Sequence, residues 1–306
     1  MYHLVIGIPT YKRPAMLEKL VKSIYASNIN KEFISDVDIL IVDNDKDRTA
    51  ETTSLKLGNR CPTNFRFNYH NYAIRGLSNV RNEIIQRAFK LNPDYIVFVD
   101  DDEYVTKNWL NELIYSVVSN DADMAMGPVL PDFEKKVPEA ISHWFYRPQN
   151  DNRKKLDFII TGNLIMCSKF LKEHQLQFDL RFNTTGSEDS YFGISVLKEN
   201  GAIYSAAKAV VYETIPEKRA TLKWLLQRSY NGANSYIYMM ILERSYGKII
   251  KKFFISLIYI LFGFVFLLFL LFNFKYRYYG LLKMAEGIGG LTGFLNIQFH
   301  EYSKVR

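Results

Sequence analysis

Cysteine is almost missing from this chain of 306 residues: Cys61 and Cys167 are the only two, and they stand far apart. That excludes a disulfide framework, gives no close spacing for a structural zinc, and points to a reducing compartment. A secretory leader is also lacking, since Met1-Tyr2-His3 runs straight into a strand-like stretch; the catalytic part is expected to stay cytoplasmic. The third absence is of acid. Between Arg244 and Lys283 there are seven basic residues and no Asp or Glu, and setting these aside leaves 32 basic against 32 acidic residues. The net charge of +7 therefore belongs to one segment, and a nucleic-acid partner is not expected. Inside that segment, Phe253 to Phe274 is 22 residues without a charge. At about 1.5 Å per residue it is long enough for a transmembrane helix, and the flanking lysines and arginines suit anionic lipid. A second apolar stretch, about 280–299, carries Lys283, Glu286 and Gly289-x-x-x-Gly293. It reads as a poor second span or an interfacial helix, with the glycines as a close-packing face.

Against these absences stands one concentrated feature. Tyr95-Ile-Val-Phe-Val99 is an apolar run stopped by Asp100-Asp101-Asp102-Glu103. The run reads as a buried strand delivering carboxylates to its carboxyl end, where open α/β sheets bind their ligands. Adjacent like charges repel and each prefers water, so the arrangement suits a hard divalent cation, Mn2+ or Mg2+. A solvated acidic turn is the plain alternative. Asp100 and Asp102 are the natural pair for the ion.

The rest of the chain alternates. Residues 4–8 read as a strand ending at Pro9-Thr10-Tyr11-Lys12-Arg13-Pro14, with Pro14 in the first turn of a helix carrying Leu17, Leu20, Val21 and Ile24 on one face. A second strand, 37–42, runs into Asp43-Asn44-Asp45; a third, 65–69, precedes Arg75-Gly76-Leu77-Ser78-Asn79 and a helix with Val80, Ile84, Ile85 and Ala88 on one face. Strand–helix alternation at this length predicts an α/β fold, a mostly parallel sheet with helices on both faces. Further on, 124–128 and 158–166 read as strands around a mobile loop over 131–155. A helix is expected to start at Glu188-Asp189 and a long one to fill 218–246.

Four clusters thus fall at strand ends: 9–13, 43–45, 75–81 and 100–103. A nucleoside diphosphate needs a group for the base, a cation for the phosphates and an arginine beside them. Asp43 or Asp45, Asp102 with its metal, and Arg81 answer to those needs. Transfer to a hydroxyl needs a general base as well, for which Glu188 and Asp189 are candidates, although acids at a helix start also serve as caps.

The ordered set Ile-Pro-Thr-Tyr-Lys-Arg-Pro (8–14), Val-Asp-Asn-Asp (42–45), Arg-Gly-Leu-Ser-Asn-Val-Arg-Asn (75–82), Phe-Val-Asp-Asp-Asp-Glu (98–103), Thr-Gly-Asn (161–163) and Gly-Ser-Glu-Asp (186–189) resembles family 2 glycosyltransferases of the GT-A, Rossmann-like fold. It looks most like the bacterial succinoglycan-glucosyltransferase branch. The resemblance covers roughly residues 3–246. It implies inverting, metal-dependent transfer of one sugar from a nucleotide-diphosphate sugar, a UDP-sugar foremost, to a lipid-linked saccharide in surface polysaccharide assembly. Asp102 would hold the metal, with Asp100 near the ribose or the metal. Pro9, Tyr11, Arg13, Asp43, Asp45, Arg81 and Asp101 would surround the donor, Thr161, Gly162 and Asn163 would lie near the sugar or acceptor, and Asp189 would be the base beside Glu188. A catalytic domain over 1–246 and a membrane anchor over 247–306 are expected, at the inner membrane. The Gln-x-x-Arg-Trp signature of processive synthases is absent, Gln227-Arg228-Ser229-Tyr230 standing in its neighbourhood. Transfer to a polyprenyl phosphate, a sugar nucleotidyltransferase and a non-catalytic membrane-bound module are the other readings. The nucleotidyltransferase lacks a glycine-rich, arginine-containing loop after the first strand.

Overall fold

The computed structural model describes residues 1–146, 151, 154–268 and 274–295. In chain order it contains β1 (Tyr2–Thr10), α1 (Pro14–Tyr25), β2 (Ile34–Asp43), α2 (Glu51–Gly58), β3 (Arg66–Asn71), α3 (Leu77–Lys90), β4 (Tyr95–Val99), β5 (Glu103–Val105), α4 (Trp109–Ser119), β6 (Met124–Met126) and β7 (Val129–Phe133). It continues with α5 (Glu139–Ser142), β8 (Asn163–Cys167), α6 (Ser168–Glu173), α7 (Glu188–Lys198), β9 (Ile203–Ser205), β10 (Val211–Ile215), α8 (Leu222–Leu242), α9 (Tyr246–Leu268) and α10 (Phe274–Phe294). Packing divides the chain into two compact units. The first holds Met1–Asp132, Arg147–Asn183 and Glu188–Thr214; the second holds Phe133–Tyr146, Thr184–Ser187 and Ile215–Arg306. The expected boundary between 246 and 247 falls inside the second unit, at the start of α9.

The first unit is built on a seven-stranded sheet of order β3-β2-β1-β4-β8-β6-β9. Neighbouring strands are parallel except at β8, which runs antiparallel to both β4 and β6. Alternate residues of one strand face opposite sides. Leu4, Ile6 and Ile8 of β1 accordingly join the core shared with α1 and α4, whereas Val5 joins the core shared with α3. A smaller sheet, β5-β10-β7, begins where the acid run ends. The strand expected over 158–166 shrinks to Asn163–Cys167, because its partner β4 stops at Val99, the register mate of Asn163. The loop expected over 131–155 contains the end of β7 and α5, and its residues 147–150 and 152–153 lie outside the described ones.

The second unit carries a sheaf of three helices. Thr221 caps α8, its hydroxyl oxygen accepting from Trp224 N at 3.2 Å. Arg244, in the left-handed conformation (φ 51°), separates α8 from α9, so the helix expected over 218–246 ends at Leu242. Helix α10 runs alongside α8: Leu225 clusters with Leu282, Gly289 lies on the Tyr230 backbone, and Gly293 lies against Asn234 and Ile237. The Gly289–Gly293 pair is thus a close-packing face. Helix α9 runs the other way, with Gly263 against Gly280 and Ser256 against Gly287 and Gly290. The apolar span expected over 253–274 is occupied by α9 up to Leu268 and by α10 from Phe274; residues 269–273 lie outside the described ones, as do 296–299 of the expected second helix. Helix α9 is the one described helix long and apolar enough to cross a membrane.

Candidate active site

Because β2, β1 and β4 are adjacent and parallel, their carboxyl ends bring 43–45, 9–13 and 100–103 to one edge. The four acids after β4 have four different environments. Asp100 is the most open, its side chain 36% exposed. Asp101 is buried and turned toward the end of β1, where it accepts from Thr10 Oγ1 (2.8 Å), Tyr11 N (3.4 Å) and an Arg13 guanidinium nitrogen (3.1 Å). Burial pushes its carboxyl up to about 7 despite Arg13. Asp102 shares that Arg13 nitrogen at 2.9 Å. Glu103 is fully enclosed, accepts from Asp100 N at 2.9 Å, and is raised well above the usual carboxylate range by burial and by Asp100 and Asp102. Gly162 lies directly against it: a Cβ there would meet Glu103 Oε1 at 2.5 Å and Asp100 Oδ2 at 3.5 Å. Asp101 and Glu103 therefore shape the turn; Asp100 is the acid of the run most open to a ligand, with Asp102 beside it under Arg13.

The cluster after β2 divides in a similar way. Asp43 has no exposed surface, and both its oxygens are engaged, Oδ1 by Asp45 N (3.0 Å) and Oδ2 by Ala50 N and Tyr69 OH (3.1 Å each). Asp45 is buried too, but its Oδ2 has no hydrogen-bond partner among the described residues, and Lys12 Nζ stands 3.9 Å from Oδ1. Asn44, which sequence reasoning passed over between two acids, donates to Tyr72 O and Ile74 O (2.7 Å each) and holds the segment leading to Gly76. Gly76 itself (φ 129°) lies against Asn183, whose Oδ1 accepts from Asn79 N at 3.0 Å and so caps α3 from a distant loop. Pro9 is buried in β1, while Tyr11 is partly exposed with its ring 5.5 Å from Arg75 Cζ.

Arg81 joins the two halves of the site. Its guanidinium is buried, contacts Glu188 Oε1 closely and reaches Asp100 Oδ1 at 3.4 Å. Burial raises the Glu188 carboxyl to about 7 against the pull of Arg81, and Glu188 Oε2 has no hydrogen-bond partner among the described residues. Asp189 is more open; its Oδ1 accepts from Ser190 N at 2.7 Å. Thr161 is buried. Asn163 lies wholly in the core, accepting from Trp109 Nε1 (2.7 Å) and donating to Ala209 O (2.6 Å) and Pro128 O (3.2 Å). The amide of Asn163 is thus spent on holding the turn that carries Thr161 and Gly162. Trp109, its partner, has no sequence signal beyond its apolar face.

No group of three His, Cys, Asp or Glu side chains suited to a metal exists among the described residues. Asp100 and Asp102 fit a hard cation whose other ligands are diphosphate oxygens and water, the usual arrangement for Mg2+.

The model of glycosyl transferase family 2 matches residues 5–174, and that of glycosyl transferase family group 2 matches 95–291. The chain belongs to glycosyl transferase family 2. Among curated family relatives, succinoglycan biosynthesis protein ExoM of Rhizobium meliloti is 26% identical over 253 residues, covering 80% of this chain and 77% of that protein. Among solved structures, S. aureus TarS 1–349 in complex with UDP-GlcNAc superposes with a TM-score of 0.54 at 15% identity, over 75% of this chain and 66% of that one. The mannosyltransferase PcManGT from Pyrobaculum calidifontis, in complex with GDP-Man and Mn2+, gives 0.58 at 13% identity, over 76% and 62%. The chain thus spans somewhat under two thirds of these solved chains. The shared architecture is the GT-A fold, and the chain is a glycosyltransferase.

Proposed function

We propose that this family 2 enzyme moves one hexose from a nucleotide-diphosphate sugar, a UDP-sugar foremost, to a saccharide carried on a lipid. It works at the cytoplasmic face of the inner membrane, with inversion at the anomeric carbon. The observation that carries this reading is Arg81. It ties Asp100 of the acid run to Glu188, the neighbour of Asp189, which supports reading the two as parts of one site about a buried guanidinium. Two neighbours that bind nucleotide sugars and a relative named for succinoglycan biosynthesis support the donor class and the setting.

In this reading Asp102 and Asp100 hold Mn2+ or Mg2+, which when bound offsets the charge developing on the leaving diphosphate. Asp45, with a buried carboxylate oxygen that has no hydrogen-bond partner among the described residues, accepts from the N–H of the base in place of the fully bonded Asp43. Tyr11, above Pro9, lines the nucleotide pocket, and Arg13 and Asp101 fix the loop beneath it. Asp189 takes the proton of the acceptor hydroxyl; the acceptor oxygen bonds to the anomeric carbon as that carbon's bond to the diphosphate oxygen breaks. Glu188 and Arg81 hold Asp189 and Asp100 in register. Thr161 and Gly162 form the turn beside the acids on the acceptor side.

Asp189→Asn is expected to bind the donor as the wild type does and to lose transfer by about 10²–10⁴-fold, the usual contribution of general-base catalysis. Undiminished turnover would remove Asp189 from the role. Product mass with defined acceptors separates glycosylation of a lipid-linked saccharide from glycosylation of polyprenyl phosphate itself.

A further inference from the structure

The apolar surface of α9 is confined to one side. Ile250, Phe254, Leu257, Ile258, Leu261, Phe262, Phe264, Val265 and Leu268 are all exposed and share one half of the helix. The opposite half, through Ser256 and Gly263, is closed by α10. Helices behind this face are not apolar. On α10, Glu286 accepts from Lys252 Nζ of α9 at 3.0 Å and from Lys283 Nζ at 2.9 Å, and Lys283 also lies 4.2 Å from the Tyr259 ring centroid. On α8, Lys223 and Arg228 are exposed, and Asn231, Asn234 and Ser235 are buried within the sheaf. Three helices of 21, 23 and 21 residues packed along their lengths would have to cross together, taking these groups through hydrocarbon. Ionisable side chains there are rare and costly. A sheaf with one broad exposed apolar face, charged and polar groups on the helices behind it and exposed lysines at one end of that face instead suits a surface that lies in the interface plane.

We propose that α9 docks in the plane of an anionic phospholipid surface, its exposed face sunk among the acyl chains and Lys248 and Lys251 on the headgroups, and that it does not span the bilayer. This rests on the membrane setting proposed above. Both ends of α9 and the whole of α10 then stay on the enzyme's side of the bilayer.

The test uses the full chain on vesicles of phosphatidylethanolamine and phosphatidylglycerol, with Cys61 and Cys167 replaced by serine. Single cysteines at Phe254, Leu261 and Leu268 receive an environment-sensitive fluorophore, and depth is read with quenchers placed along the lipid chain. In-plane docking predicts equal, shallow depth at the three positions, and accessibility of Ser245→Cys, before α9, and of the exposed Tyr279→Cys, on α10 near the other end of α9, to an impermeant thiol reagent from the outside. A depth gradient with one end shielded until the vesicle is permeabilised means a span and overturns the proposal while leaving membrane attachment intact. No partitioning into vesicles overturns both. Each of Lys248→Glu and Lys251→Glu is expected to weaken partitioning at least about fivefold, from the usual attraction of one basic residue to an anionic surface. Leu261→Glu is expected to weaken it at least about tenfold. Unchanged partitioning in all three variants contradicts docking by this face.

Discussion

Individual residues in this site divide between shaping it and acting in it, and their neighbours decide which. Asp43, Asp101, Glu103 and Asn163 are acids or amides with no or almost no exposed surface, each spent on internal hydrogen bonds; Asp45, equally buried, keeps one carboxylate oxygen without a hydrogen-bond partner among the described residues, and Asp100 and Asp189 keep exposed surface. For Asn163→Ala, Trp109 Nε1–H and the carbonyls of Pro128 and Ala209 lose their partner. Each unsatisfied buried group costs about 1–3 kcal/mol, so urea unfolding is expected to show a loss of several kcal/mol, with donor affinity unchanged in the fraction that remains folded. Glu188 carries a pH signature. Its folded carboxyl titrates at about 7 against an ordinary 4.5, so the folded state holds the proton more tightly than the unfolded one. Its contribution to stability is present below 4.5 and is lost as pH rises through about 7. Glu188→Gln is expected to flatten the stability decline between pH 5 and 8 relative to wild type, measured by urea unfolding at each pH; an identical decline would assign it to other groups.

At the level of elements, β8 and α10 show how packing refines a pattern. An apolar run of nine residues, 158–166, suggests a strand throughout, yet a strand persists only where a partner offers hydrogen bonds, and β4 ends at Val99. The remainder becomes the turn that sets Gly162 against Glu103. In α10 the Gly-x-x-x-Gly spacing was readable, but its partner was not: the pair meets α8, while Gly280, Gly287 and Gly290 meet α9. A side chain at Gly289 has the Tyr230 backbone in its way. Gly289→Val is therefore expected to destabilise the sheaf by about 1–3 kcal/mol or more, the typical cost of overpacking. Thermal unfolding followed by circular dichroism reads the loss, and an unchanged melting curve would contradict close packing of α8 and α10.

For the whole molecule, the parallel α/β order and the strand-end placement of the four clusters were legible because both follow from local periodicity and from the sites where such sheets bind ligands. Which acid after β2 keeps an unpartnered oxygen was not legible. Asp43 and Asp45 are two residues apart with the same chemistry, and only the distant Tyr69 and Ala50 decide that Asp43 is closed. Likewise the link from Arg81 to Glu188 joins residues 107 apart in sequence. The one-sided face of α9 was hidden because a run without charges looks alike from every side until α10 covers half of it. The central claim is that the edge holding Asp45, Arg81, Asp100 and Asp102 binds a nucleotide sugar through a divalent cation. Thermal unfolding with a panel of nucleotide sugars, with and without Mn2+, tests it directly. A ligand at a hundred times its Kd stabilises the fold by about 2.7 kcal/mol. At least one nucleotide sugar is expected to raise the unfolding temperature only when Mn2+ is present, and Asp102→Asn is expected to abolish that rise; a panel without any shift, or a shift indifferent to Mn2+ and to Asp102, would contradict the claim.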